Sequence, residues 1–322
     1  MNNRLPNPAR LPALRPGDTV SLVAPASPPQ PAAFTNAVAA LERLGYPSKC
    51  YRDVCASAGY LAGDDASRIA ELHAAFDDPD TKLVLAVRGG YGVGRLLDRI
   101  EFKRLVRRPK FVVGYSDITA LHAAIQRQTG LVSLHGPNLV GGLGDDSAAS
   151  LPERDQWLAL VSGKLATGAD LCPSSAAANL RTVTPGVAQG RLIGGNLAVL
   201  NALIGTPFQP DFEAAILLLE DTGETPYRID RLLTQLRTAG LLAQLAGVLV
   251  GAFSDTGAET SAGAVEALLD EFLTPLGVPV LAGLPIGHEH PNLPLPLGGL
   301  VEIDASNRRF LLAQDLIEDQ AA

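Results

Sequence analysis

The sequence is poor in cysteine, in clustered positive charge and in long apolar runs, and each shortage removes a class of protein. Its three cysteines in 322 residues, Cys50, Cys55 and Cys172, form no C-x-x-C pair. An odd count of this kind suits a reducing compartment rather than a secreted disulfide framework. Lys and Arg total 26 against 34 Asp and Glu, a formal charge of −8, and the sequence pI is near 5.2; this argues against a nucleic-acid partner. The densest cationic patch, Arg104, Arg107, Arg108 and Lys110, has no interleaved aromatic residues and reads as a solvated helix end. No apolar run approaches the ~20 residues that span a bilayer, and the Pro-interrupted stretch 1–15 lacks the apolar core of a signal peptide. The expectation is a cytoplasmic protein with neither membrane nor nucleic acid as partner.

What is present is 47% hydrophobic residues, 19% charged residues, 32 Gly and 24 Pro, the composition of a turn-rich α/β globule long enough for two domains. Strand candidates at 19–24, 48–51, 82–87, 111–114 and 131–134 alternate with segments of helical periodicity, such as Ile69, Leu72 and Phe76 behind the N-cap candidates Asp64 and Asp65. Runs apolar on both faces belong in a parallel sheet covered by helices. Between 164 and 185 the composition shifts to Ala, Ser, Thr, Gly and Pro without periodicity, so a nucleophile-bearing domain over 1–163, a linker over 164–185 and a second domain over 186–322 are expected. The second half opens with a Gly-rich stretch read as a turn, 190–196. It continues with a buried strand over 215–221, a helix from Pro226, a strand over 248–253, a helix over 262–272 and a closing hairpin of 301–304 with 309–312.

Ser116 stands where the strand 111–114 gives way to a helix bearing Ile118, Leu121, His122 and Ile125. A hydroxyl at such a corner faces free backbone N–H groups, and Gly114 leaves room for the turn as in a G-x-S-x-G elbow, although Ile118 occupies the second Gly position. The loop Arg88-Gly89-Gly90-Tyr91-Gly92-Val93-Gly94 follows the preceding strand. It lacks G-x-G-x-x-G spacing and the acidic residue of a dinucleotide site, so no cofactor is expected there. Strand ends of an open parallel sheet share an edge, which sets this loop beside Ser116. Gly89 or Gly90 and the Asp117 N–H are then candidate oxyanion donors, with tight packing as the competing use of the glycines.

Glu220 ends an otherwise aliphatic strand and needs a partner, either Arg228 or Arg231 in an ion pair, or a histidine in catalysis. His288 follows Gly287 in a Pro-rich loop, with His290 two residues on; His135 ends a strand on the Ser116 edge, whereas His73 and His122 fall at helical positions and read as surface or boundary residues. The His288-Glu289-His290 cluster lacks the geometry of a helical zinc site and no metal is expected. One corner Ser, one strand-end Glu and one loop His, in that order, offer a triad divided between two domains.

These motifs resemble the LD-carboxypeptidases, the serine-peptidase group that also contains the microcin C self-immunity peptidases. The resemblance rests on Val23-Ala24-Pro25-Ala26-Ser27, Arg88-Gly89-Gly90-Tyr91-Gly92, Gly114-Tyr115-Ser116-Asp117-Ile118-Thr119, Leu219-Glu220-Asp221 with Pro226-Tyr227-Arg228-Ile229-Asp230-Arg231, and Gly287-His288 before Leu295-Pro296-Leu297-Gly298. It implies Ser116, Glu220 and His288 as the triad. It also implies an N-terminal domain like a class I glutamine amidotransferase, a smaller C-terminal α/β domain of swivelling type, and a homodimer. The implied reaction removes the terminal D-Ala of a murein tetrapeptide during cell-wall recycling, without cofactor. Substrate contacts are expected from Gly89, Arg88, Tyr91, Arg228 and Arg231. A microcin-type peptidase would need an aromatic clamp for a nucleotide, which the single Trp157 is not placed to provide; a non-catalytic carboxylate-binding module, with Ser116 and the glycine loop as an anion nest, is the alternative outside the family.

Overall fold

The computed structural model describes residues 10–145, 147–173, 179–257, 261 and 263–318. Most of the 1–15 stretch, the centre of the expected linker (174–178) and the expected helix start at Ala262 lie outside the described residues. The first half alternates β1 (Thr19–Val23), α1 (Pro31–Arg43), β2 (Ser48–Cys50), α2 (Asp65–Asp77), β3 (Thr81–Ala86), α3 (Lys103–Arg107), β4 (Phe111–Gly114), α4 (Thr119–Thr129) and β5 (Ser133–His135), followed by α5 (Leu151–Ser162). The local signals act as their chemistry requires. Pro31 opens α1, the Asp64 side chain caps α2 by accepting the Ser67 N–H at 2.7 Å, and Gly130 and Gly163 end α4 and α5 in the left-handed conformation.

The second half runs β6 (Arg181–Thr184), β7 (Val187–Asn196), α6 (Leu197–Ala202), β8 (Ile216–Thr222), α7 (Pro226–Thr238), β9 (Gly247–Ser254), α8 (Ala264–Leu273), β10 (Val280–Ala282), β11 (Leu295–Leu297), β12 (Leu300–Asp304) and β13 (Arg309–Leu312). A six-stranded sheet has the order β11-β5-β4-β3-β1-β2, and a seven-stranded sheet the order β13-β12-β7-β8-β9-β10-β6. β1 to β5 are mutually parallel; β11, from the second half, joins β5 antiparallel, and its Pro296 sits where an edge strand tolerates a missing N–H. In the second sheet β7 to β10 are parallel, while β12, β13 and β6 add antiparallel edges. The architecture is therefore mixed α/β with a parallel sheet and a second sheet domain.

One expectation fails. The glycines of 190–196 do not turn the chain; they form the C-terminal half of β7. Gly194 and Gly195 hold φ values of 109° and 122°, and a Cβ would stand 2.1 Å from the Leu218 carbonyl oxygen at the first and 2.7 Å from Thr119 Oγ1 at the second. Glycine is needed here because the backbone of the second sheet passes directly against α4 of the first, and the Asn196 N–H donates to Thr119 Oγ1 at 3.1 Å. β6 lies within the stretch 164–185.

Candidate active site

Ser116 is a non-glycine residue at φ 66°, immediately after β4 and at the head of the short 3-10 turn Ser116–Ile118 that leads into α4. L-residues pay of order 1 kcal/mol or more in this conformation. The corner is sealed by glycines: a Cβ on Gly114 would meet Asn138 Oδ1 and Ile118 Cγ1 at 2.9 Å, and one on Gly89 would meet Ser116 Cβ at 2.8 Å. The glycine loop thus lies against Ser116, as the shared sheet edge requires. Gly90, at φ 111°, approaches Ser27 so closely that a Cβ would stand 2.3 Å from its Oγ, and the same Oγ accepts the Tyr91 N–H at 3.3 Å. Asp117, buried, accepts the Val93 N–H at 2.8 Å and so ties the loop to the corner; burial pushes its carboxyl up to about 6.

Glu220 lies in the buried run of β8, just before buried Asp221, with no exposed surface. Its Oε2 lies 2.9 Å from His288 Nδ1, while Oε1 has no hydrogen-bond partner among the described residues. The His288 ring packs against Tyr115 at 4.9 Å between centroids, and Tyr115 is the neighbour of Ser116. With Nδ1 engaged by the carboxylate, Nε2 is the ring atom not committed to that pair. Gly287, at φ 130°, brings the loop so near that a Cβ would stand 3.2 Å from Glu220 Oε2.

The LD-carboxypeptidase N-terminal domain profile matches residues 20–136 and the C-terminal domain profile residues 189–303. The chain belongs to the LD-carboxypeptidase family. It is 38% identical over 309 residues to a probable murein peptide carboxypeptidase of Bacillus subtilis strain 168, covering 95% of each chain. Among solved structures it is similar to a muramoyltetrapeptide carboxypeptidase from Oxalobacter formigenes, with 28% identity, a TM-score of 0.76 and coverage of 93% of this chain and 100% of that one. It also shares the fold of the microcin C7 self-immunity protein MccF in complex with aspartyl sulfamoyl adenosine, at 23% identity, a TM-score of 0.88 and coverage of 97% and 100%. Family membership makes it a serine-type carboxypeptidase.

The remaining candidates of this LD-carboxypeptidase differ in where they lie. His290 turns away from Glu220: its Nδ1 lies 3.1 Å from Glu153 Oε2 and its Nε2 3.9 Å from Asp145 Oδ2. Glu220 takes the histidine of the two alternatives, His288, and not Arg228 or Arg231. Arg228 is exposed, 3.5 Å from Glu224, and exposed Arg231 lies over the Tyr227 ring at 5.6 Å, because the first turn of α7 carries both to solvent. Arg88, also exposed, donates to the Pro28 carbonyl at 3.0 Å. Tyr91 is 57% and Tyr60 63% exposed, and their rings meet edge to face at 5.7 Å. His122, read as surface or boundary, is instead wholly enclosed between the Gly114 carbonyl at 2.8 Å and Ser133 Oγ at 2.9 Å, and burial drops it to about 4. His135 is likewise buried, packs on Tyr115 at 6.2 Å and is pushed down to about 3, chiefly by burial. Trp157 lies in the core against Tyr46.

Sequence reasoning missed three contributors. The Asp117 carboxylate was overlooked in favour of its amide. Arg68, fully buried, donates to the Pro25 carbonyl and, at 3.0 Å, to Gly92, bracing the glycine loop from α2. Glu153 joins Gln156, Trp157 and Leu160 on the buried stripe of α5; an acid at that helical spacing among core residues was the available signal. Among the described residues no cluster of His, Cys, Asp and Glu is arranged to hold a metal ion, and no helix is long and apolar enough to cross a membrane.

Proposed function

We propose that the protein is a serine carboxypeptidase that releases the terminal D-Ala of a murein tetrapeptide by cutting the bond between an L-centre and the D-residue. The observation that carries this reading is the Glu220–His288 pair at 2.9 Å, set beside Tyr115 and therefore beside the strained Ser116 corner. The names of the 38% and 28% identical relatives supply the substrate class. Ser116 Oγ attacks the carbonyl of the L-centre as His288 Nε2 takes its proton, and Glu220 holds Nδ1 and stabilises the imidazolium. The Gly90 and Asp117 N–H groups receive the developing oxyanion. The proton then passes to the departing D-Ala amine, leaving an acyl-enzyme that water resolves by the same route reversed. Arg88, at the mouth beside the glycine loop, pairs with the carboxylate of the leaving residue; Gly89 and Tyr91 line its approach, and Arg228 and Arg231 are the cations available from the other half.

The same reading carries with it a cytoplasmic site of action, a homodimer and a first domain of glutamine-amidotransferase type, all from the family resemblance. The exposed Tyr60–Tyr91 pair supports a second reading, in which a planar ring of an aminoacyl sulfamoyl nucleotide stacks beside the site. A fluorophosphonate probe and a substrate panel decide. Ser116-dependent labelling with hydrolysis of L,D-peptide ends supports the first reading, hydrolysis of the sulfamoyl nucleotide alone the second, and absence of labelling removes both.

A further inference from the structure

The loop that carries His288 is held from the first half of the chain. Glu153, on α5, has no exposed surface. Its Oε2 accepts the Asn292 N–H at 2.6 Å and lies 3.1 Å from His290 Nδ1. The buried Asn292 side chain in turn accepts the Gly287 N–H at 3.0 Å, and Gly287 is covalently joined to His288. One turn further along α5, Gln156 donates to the Pro294 carbonyl at 3.0 Å. The segment 287–292 is thus closed on itself by Asn292 and tethered to another domain by Glu153. Burying a carboxylate costs several kcal/mol unless its bonds are good, and an apolar residue at this point of the core would fill the space without that cost. What an apolar residue lacks is an acceptor for the Asn292 amide, and hence the means to set the height of the loop above Ser116.

We propose that Glu153 is a positioning residue for hydrolysis, acting through the Asn292 amide and the Asn292–Gly287 hydrogen bond to hold His288 between Glu220 and Ser116. Glu153 touches no reacting atom. The effect of losing it therefore falls on kcat, because a misplaced imidazole weakens proton transfer in the transition state while the substrate pocket stays intact. The inference rests on the reading of His288 as the base. Four variants of the full-length protein test it on an L,D-tetrapeptide: Glu153→Ala, Glu153→Gln, Asn292→Ala and, as the control for that reading, His288→Ala. Glu153→Ala and Asn292→Ala are each expected to lower kcat by about tenfold or more with KM changed by less than about threefold. Both should broaden the downfield proton resonance of the Glu220–His288 hydrogen bond. Glu153→Gln keeps an oxygen for the Asn292 amide and should recover most of kcat. Wild-type kcat in Asn292→Ala, or a kcat loss in Glu153→Ala that Gln does not recover, overturns the proposal. Activity surviving in His288→Ala would instead overturn the triad itself, whatever Glu153 does.

Discussion

Ser116 combines a half-buried corner hydroxyl with a backbone conformation that favours glycine, and the two properties can be separated by substitution. Ser116→Gly is expected to abolish turnover while leaving the protein as stable as the wild type or up to about 1 kcal/mol more stable, read by urea unfolding. Substantial destabilisation would show that the corner depends on the side chain for packing. Glu220→Gln preserves shape but not charge and should lower kcat by about 10³–10⁴-fold, the scale for a triad acid, with KM little changed. Asp117 gives a pH signature. Its carboxyl rises from 3.8 to about 6 on burial, so between those values the native state binds a proton that the unfolded chain releases. Stability of the wild type relative to Asp117→Asn should therefore increase as pH falls from 6 toward 4, by on the order of 2–3 kcal/mol, and level off below. A difference that is flat with pH, or grows as pH rises, would contradict the burial argument. At this scale Ser116, Glu220 and His288 could be singled out as candidates because each follows an apolar stretch, where a polar side chain stands out. The partners of Glu153 and of the Asp117 carboxylate could not be, because they lie far away in sequence, although the place of Glu153 on the core stripe of α5 marked the acid itself.

Elements place these residues, and glycines set how closely the elements approach. The alternation of apolar runs and helical periodicity made β1, β3, β4 and β8 readable, since a strand buried on both faces is written as a nearly uninterrupted apolar run. β7 was unreadable in its second half because Gly194 and Gly195 look like a turn when only sequence neighbours are considered; their reason is Leu218 and Thr119, which sequence order does not bring near. β11 was missed for a related reason, Pro296 being tolerated only because that strand forms an edge. Two substitutions distinguish approach from flexibility. Gly195→Ala combines φ 122° with a 2.7 Å contact to Thr119 Oγ1, and should destabilise the fold by about 2–4 kcal/mol in thermal or urea unfolding. Gly89→Ala requires no left-handed backbone but presses on Ser116 Cβ at 2.8 Å. It should lower kcat by about tenfold or more with far less loss of stability than Gly195→Ala. Equal stability losses in the two variants would mean that the glycine loop is a scaffold and not a wall of the site.

At the scale of the molecule, the two sheets meet so that the corner after β4 faces the loop before β11, and the three proposed triad residues are divided between the halves. The division was inferred from the order Ser, Glu, His, and the contact of Tyr115 with His288 across the halves accords with it. Of the two partnerships left open for Glu220, the one with a histidine forms, while Arg228 and Arg231 are exposed on α7 beside Glu224 and Tyr227. The central claim is that Ser116 drives removal of a D-residue from an L-centre. The most direct measurement is mass spectrometry of a murein tetrapeptide ending in D-Ala, incubated with the wild type and with Ser116→Ala, beside the same peptide ending in L-Ala. The account predicts conversion of the D-Ala peptide to tripeptide plus free D-Ala by the wild type alone, with the L-Ala peptide left intact. Tripeptide formation by Ser116→Ala at the wild-type rate, or failure of the wild type to release D-Ala, would contradict it.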